Sequence, residues 1–99
     1  MLVLGFDWDK KNQAKLQLHD LEPDDVEFLF EDGDPVYLEH PTDRRRHIAL
    51  GFVPDERFVL VVLEYNRTTR WVRVVTAYEP TSQVWWKCYA RSKGLPDQE

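Results

Sequence analysis

The sequence holds one cysteine, one methionine, three histidines and four glycines in 99 residues, and each scarcity removes a class of protein. With Cys88 alone, no disulfide can form within the chain, and an intracellular setting is expected. His19, His40, His47 and Cys88 lack the spacing of zinc ligands, so no metal or other cofactor is expected. The four glycines are scattered, which leaves no glycine-rich phosphate loop. No G-x-S-x-G motif occurs, so covalent hydrolase chemistry has no support. No apolar run approaches the roughly 20 residues of a membrane helix. The amino terminus lacks the charged start and long apolar core of a signal peptide, so a cytoplasmic location and no membrane partner are expected. Repeats, low-complexity tracts and linkers are missing as well.

What is present reads as one folded domain over residues 1–99. An apolar share of 42% and an aromatic share of 13% argue for a globule with a modest core. The formal charge of −5 is unevenly spread. Residues 1–39 carry eleven carboxylates against three lysines, a net −8, and residues 40–99 carry seven against ten cations, a net +3. The basic part can face an anionic ligand while the acidic part faces solvent or a basic partner.

The patterning centres on a hairpin from Arg57 to Tyr78. Phe58 to Leu63 is a run of six apolar residues, short and β-branched enough for a strand buried on both faces. After the polar turn Asn66 to Arg70, the segment Trp71 to Tyr78 alternates. Val72, Val74, Thr76 and Tyr78 are expected on one face, and Trp71, Arg73, Val75 and Ala77 on the other. An arginine among apolar neighbours must find an anion or open to solvent.

Leu2 to Phe6 reads as an opening strand, and Asp9 as the N-cap of a helix reaching about Leu21, with Ala14, Leu18 and Leu21 as its buried stripe. Lys11, Lys15 and His19 lie beside that stripe, as a solvated face or as a phosphate-binding ridge. Pro23 opens a second helix with Asp24 and Asp25 in its first turn and Val26, Leu29 and Phe30 facing inward; Gly33 ends it. Val36 to His40 reads as an outer strand and His47 to Val53 as the antiparallel neighbour of the central one. Between them, Arg44, Arg45 and Arg46 fit a solvated loop, a phosphate clamp or a partner contact equally well. A last helix runs from Pro80-Thr81-Ser82 to about Lys93, with Trp85 in the core and Trp86 free for a partner or a stacked base. Residues 95–99 are expected to fray. This order predicts an α+β fold: a mostly antiparallel sheet with two N-terminal helices and one C-terminal helix.

Several of these segments together resemble the BrnT family, the toxins of bacterial type II toxin–antitoxin systems. Phe6-Asp7-Trp8-Asp9, then Lys11-Asn12, Ala14, Leu16 and His19, is similar to the family's opening, and Glu27 to Asp32 to the close of its second helix. Arg46 before Ile48-Ala49-Leu50-Gly51, Arg57 before Val59 to Val62, Arg67, and Arg73-Val74-Val75-Thr76-Ala77 continue the likeness, which covers about residues 6–89. The resemblance implies a RelE-like fold, an antitoxin partner in a hetero-oligomer, and metal-independent cleavage of RNA, ribosome-bound or free.

Such cleavage needs a base for the 2′-hydroxyl, cations for the phosphoryl oxygens and an acid for the leaving oxygen. The candidate residues are Arg46, Arg67 and Arg73 as a phosphate clamp, Lys11 as a point charge, His19 as a proton shuttle and Tyr78 as a stacking or hydrogen-bonding group. The chain also departs from the family pattern. Tyr78 stands where an arginine is usual, Asp20 follows His19 in place of glycine, and the last helix carries few cations. A second reading is therefore a domain of the same fold that binds an antitoxin-type partner and does not cleave.

Overall fold

The computed structural model describes residues 1–95 of the chain, so all of the expected frayed tail beyond Leu95 lies outside the described residues. The elements are β1 (Gly5–Phe6), α1 (Lys10–Gln17), α2 (Pro23–Asp32), β2 (Val36–Glu39), β3 (Arg46–Val53), β4 (Arg57–Asn66), β5 (Trp71–Tyr78) and α3 (Gln83–Ser92). A single 3₁₀ turn, Pro54–Glu56, joins β3 to β4. Among the described residues the fold is α+β, with three helices and one five-stranded sheet in the order β1-β5-β4-β3-β2.

That sheet is mixed rather than mostly antiparallel. β2, β3, β4 and β5 form an antiparallel meander, but β1 pairs with β5 in parallel, Gly5 opposite Trp71 and Phe6 opposite Val72. A parallel neighbour needs a long crossover, and the chain from α1 to β4 supplies one. β4 lies at the centre. Val59, Val61 and Leu63 face Leu16, Leu21, Val26 and Leu29 of the α1–α2 region, whereas Leu60 and Val62 face Tyr89 of α3. Val59 to Leu63 are all buried, as expected for a strand covered on both sides.

The alternation expected along β5 fails beyond Val74. A bulge opposite Val62 and Leu63 leaves Val75 without a partner, so Val74 pairs with Leu63 and Thr76 with Val62. Past the extra residue the faces exchange. Ala77 joins Val72 and Val74 in the α1–α2 core, and Tyr78 moves to the α3 side with Val75.

The helices also differ in extent from expectation. α1 stops at Gln17 rather than near Leu21, because His19 and Leu21 both donate to the Leu16 carbonyl and Asp20 takes a left-handed conformation at φ 55°. Its buried positions are Asn12 and Leu16; Ala14 and Leu18 are exposed. α3 begins at Gln83, capped by the Ser82 hydroxyl. Trp86 is no free anchor. It stacks on Tyr89 at 5.6 Å and meets Phe58 edge-on at 5.3 Å within the α3 core. Among the described residues, no helix is long and apolar enough to cross a membrane.

Gly33, which follows α2, is the most tightly enclosed of the four glycines. Its carbonyl accepts from Phe52 N at 3.0 Å, and a Cβ placed there would sit 2.2 Å from the Phe52 carbonyl oxygen and 2.6 Å from Leu29 Cα. Both obstacles are backbone, so neither can rotate away. Gly33→Ala is expected to lower unfolding stability by at least about 2 kcal/mol. Gly94→Ala, at φ 69° with open space around it, is expected to cost only about 1 kcal/mol. Urea unfolding of the two variants checks the order.

Candidate functional site

The site grows from one cross-strand row. Arg46 on β3 sits opposite Glu64 on β4, and Glu64 sits opposite Arg73 on β5, so the three side chains share the sheet face that α3 covers further along. Beside β5, α1 adds Lys11 and Lys15 one helical turn apart. Lys11, Lys15, Arg46, Glu64 and Arg73 line a cleft of about 180 Å³ floored by Val74 and Val75.

Arg73 is not free in this cleft. One guanidinium nitrogen donates to Asp9 Oδ2 at 2.5 Å and the other to Asp7 Oδ2 at 3.2 Å. The parallel pairing of β1 with β5 brings the acids there, since Asp7 N donates to the Val72 carbonyl at 2.8 Å. Asp9 has a second duty as the N-cap of α1, where its Oδ1 accepts from Asn12 N at 2.9 Å. Buried Asn12 answers by accepting from Asp9 N at 2.8 Å and donating to the Asp7 carbonyl at 2.9 Å. The Asn12 amide and the Arg73 guanidinium hold the Asp9 carboxyl below its ordinary value, and Asp9 followed by Asp7 holds Arg73 above its own.

Arg46 is more loosely held. Its Nε lies 3.5 Å from Asp43 Oδ2 and 3.9 Å from Glu64 Oε2, and this nitrogen is buried without a hydrogen bond. Arg45 satisfies Asp43 instead, and the Arg45 side chain and amide lower the Asp43 pKa. On the other side of Arg73, a wider groove of about 660 Å³ exposes Trp71 beside Tyr65 and Arg45. Trp71 is 47% exposed and is the tryptophan open to solvent that Trp86 was expected to be.

Of the six expected site residues, Lys11, Arg46 and Arg73 meet in the cleft. His19 falls past the end of α1, outside the cleft lining, and its ring packs against Tyr78 at 5.8 Å. Arg67 is exposed in the β4–β5 turn, also outside the lining. The helical spacing that placed His19 over Lys15 does not hold, because α1 ends first. Sequence reasoning missed the pairing of Asp7 and Asp9 with Arg73. The one signal was their i, i+2 spacing in an extended segment, which points both carboxylates the same way.

No protein-family model and no curated protein matches the chain. The fold and site define a small α+β domain with a cationic cleft in which Arg73 is paired by acids of the same chain.

The lowered Asp9 pKa carries a pH signature. The unfolded chain binds this proton at about the ordinary value of 3.8 and the folded chain only below it. The contribution to stability is therefore complete above the ordinary value and is lost as pH falls through the lowered one. Asp9→Asn keeps an oxygen for the cap and removes the charge. Acidification from about pH 5 to about pH 2 is expected to lower the urea midpoint of the wild type more than that of Asp9→Asn. Parallel curves would contradict the assignment.

Proposed function

We propose that the chain is a BrnT-like domain of RelE-like architecture that binds an antitoxin-type protein partner in a cytoplasmic hetero-oligomer and does not cleave RNA. The order of strand, two helices, four-stranded meander and terminal helix supports the architecture. One observation carries the loss of cleavage: Arg73, the cation best placed to meet a phosphate, is held by Asp7 and Asp9. A phosphoryl oxygen arriving there would have to displace one carboxylate and approach the other against like charge. His19, the candidate proton shuttle, packs on Tyr78 away from the cations, so base and clamp do not act on one phosphate.

The alternative, a metal-independent ribonuclease toxin acting through Lys11, His19, Arg46, Arg67, Arg73 and Tyr78, keeps one specific support. Arg46 Nε is a buried donor without a hydrogen bond at a cleft also lined by Lys11 and Lys15, as an anion site would need.

Inducible expression in a bacterial host separates the readings. The partner-binding reading expects no growth arrest when the chain is expressed alone, and co-purification with the product of a flanking gene when the two are expressed together. Arg73→Ala is expected to lower thermal stability and leave growth unchanged. Growth arrest by the wild type, relieved by Arg73→Ala without loss of stability, would establish the toxin instead.

A further inference from the structure

Four of the eleven carboxylates of residues 1–39, with Asp55 and Glu56, line a surface that shares no residue with the cation cleft. Between α2 and the β3–β4 turn lies a groove of about 610 Å³. Phe28 and Pro54 make its apolar floor, with the edge of Phe52, whose ring packs in the α3 core, and of buried Val53; Asp32, Asp55 and Glu56 also line it. All three acids are exposed. At Pro54 and Asp55 the groove meets a second depression of about 330 Å³, walled by Asp20, Glu22 and Asp25. The one basic side chain lining either depression is Arg57, and each of its three nitrogens donates a hydrogen bond within the chain. It donates to Glu79 Oε1 at 2.8 Å and to the carbonyls of Asp20 at 2.9 Å and His19 at 3.2 Å.

Six carboxylates thus border a continuous surface with an apolar floor at one end and no free cation. They are spread out rather than convergent; among the described residues no three acidic, His or Cys side chains stand close enough to hold a metal ion. Spread carboxylates beside an apolar floor complement an extended row of cations next to an apolar anchor. That is the chemistry of a basic amphipathic segment, in which Leu- or Phe-type side chains at helical spacing fill the floor and Lys or Arg lie along the rim.

We propose that this groove is where the protein partner docks, through a basic amphipathic segment anchored against Phe28 and Pro54. The inference rests on the partner-binding reading and assigns that partner its surface and chemistry. Opposite charge speeds the encounter and makes it sensitive to salt, while the apolar floor supplies the anchor.

The test uses the full chain, ¹⁵N-labelled, and a short helical peptide of leucine and lysine with leucines at i, i+3, i+4 and i+7. Amide shifts are expected to concentrate at Phe28, Asp32, Phe52, Val53 and Asp55. Affinity is expected to fall about tenfold or more between roughly 0.05 and 0.5 M salt. A similar fall is expected in the triple variant Asp32→Asn/Asp55→Asn/Glu56→Gln, whose amide spectrum reports that it remains folded. Shifts that avoid the groove, or equal binding by a peptide with serine in place of leucine, overturn the proposal. The flanking-gene product supplies the second arm. If it binds wild type and triple variant alike, the docking surface is wrong and the partner reading stands. If it does not bind the wild type while the peptide occupies the groove, the surface stands and the antitoxin-type partner falls.

Discussion

The Asp9 carboxylate ties the chain's first segment to β5, the strand beside β1 in the sheet but distant in sequence. One of its oxygens caps α1 through the Asn12 amide, and the other takes a hydrogen bond from Arg73 on β5. Asp7, two residues earlier, meets the same guanidinium. Neither contact is strong alone, since Arg73 is 39% exposed and an ion pair that open is weakened by water and salt. Their effect is to fix geometry. Where α1 starts, how β1 lies against β5 and whether Arg73 is free are all settled around one side chain.

The parts of this arrangement legible in the sequence were the local ones. The apolar run in β4 announced a doubly covered strand, and Asp9 and Pro23 announced helix starts through backbone chemistry that acts within three or four residues. What escaped was long-range. Nothing in Leu2 to Phe6 says that the strand will lie parallel beside Trp71 and Val72, because that pairing depends on the path of the intervening crossover. Nor does Val74-Val75-Thr76 advertise a bulge. All three residues suit regular strand, no glycine marks the irregularity, and the register with β4 decides it. The end of α1 was closer to readable, since Asp20 tolerates the left-handed turn that stops the helix and moves His19 off the lysine stripe.

The same long-range facts separate two charged surfaces. One is a cleft in which Lys11, Lys15 and Arg46 surround an arginine already matched by acids. The other is an apolar groove bordered by carboxylates whose only cation, Arg57, is held by Glu79 and two backbone carbonyls. The first resembles the inventory of a phosphate site with its central charge cancelled. In the second, Asp32, Asp55 and Glu56 form no ion pair among the described residues, and that difference underlies the proposal of binding rather than cleavage.

The central claim is that the charge of Arg73 is engaged by Asp9 in the folded chain. A double-mutant cycle measures this directly, with urea unfolding of wild type, Asp9→Asn, Arg73→Gln and the double variant at neutral pH and low salt. The account predicts non-additivity: once Asp9 is neutral, losing the arginine costs clearly less than it does in the wild type. Strictly additive effects would mean that Arg73 does not depend on Asp9, and would leave the longer contact to Asp7 as its one acidic partner.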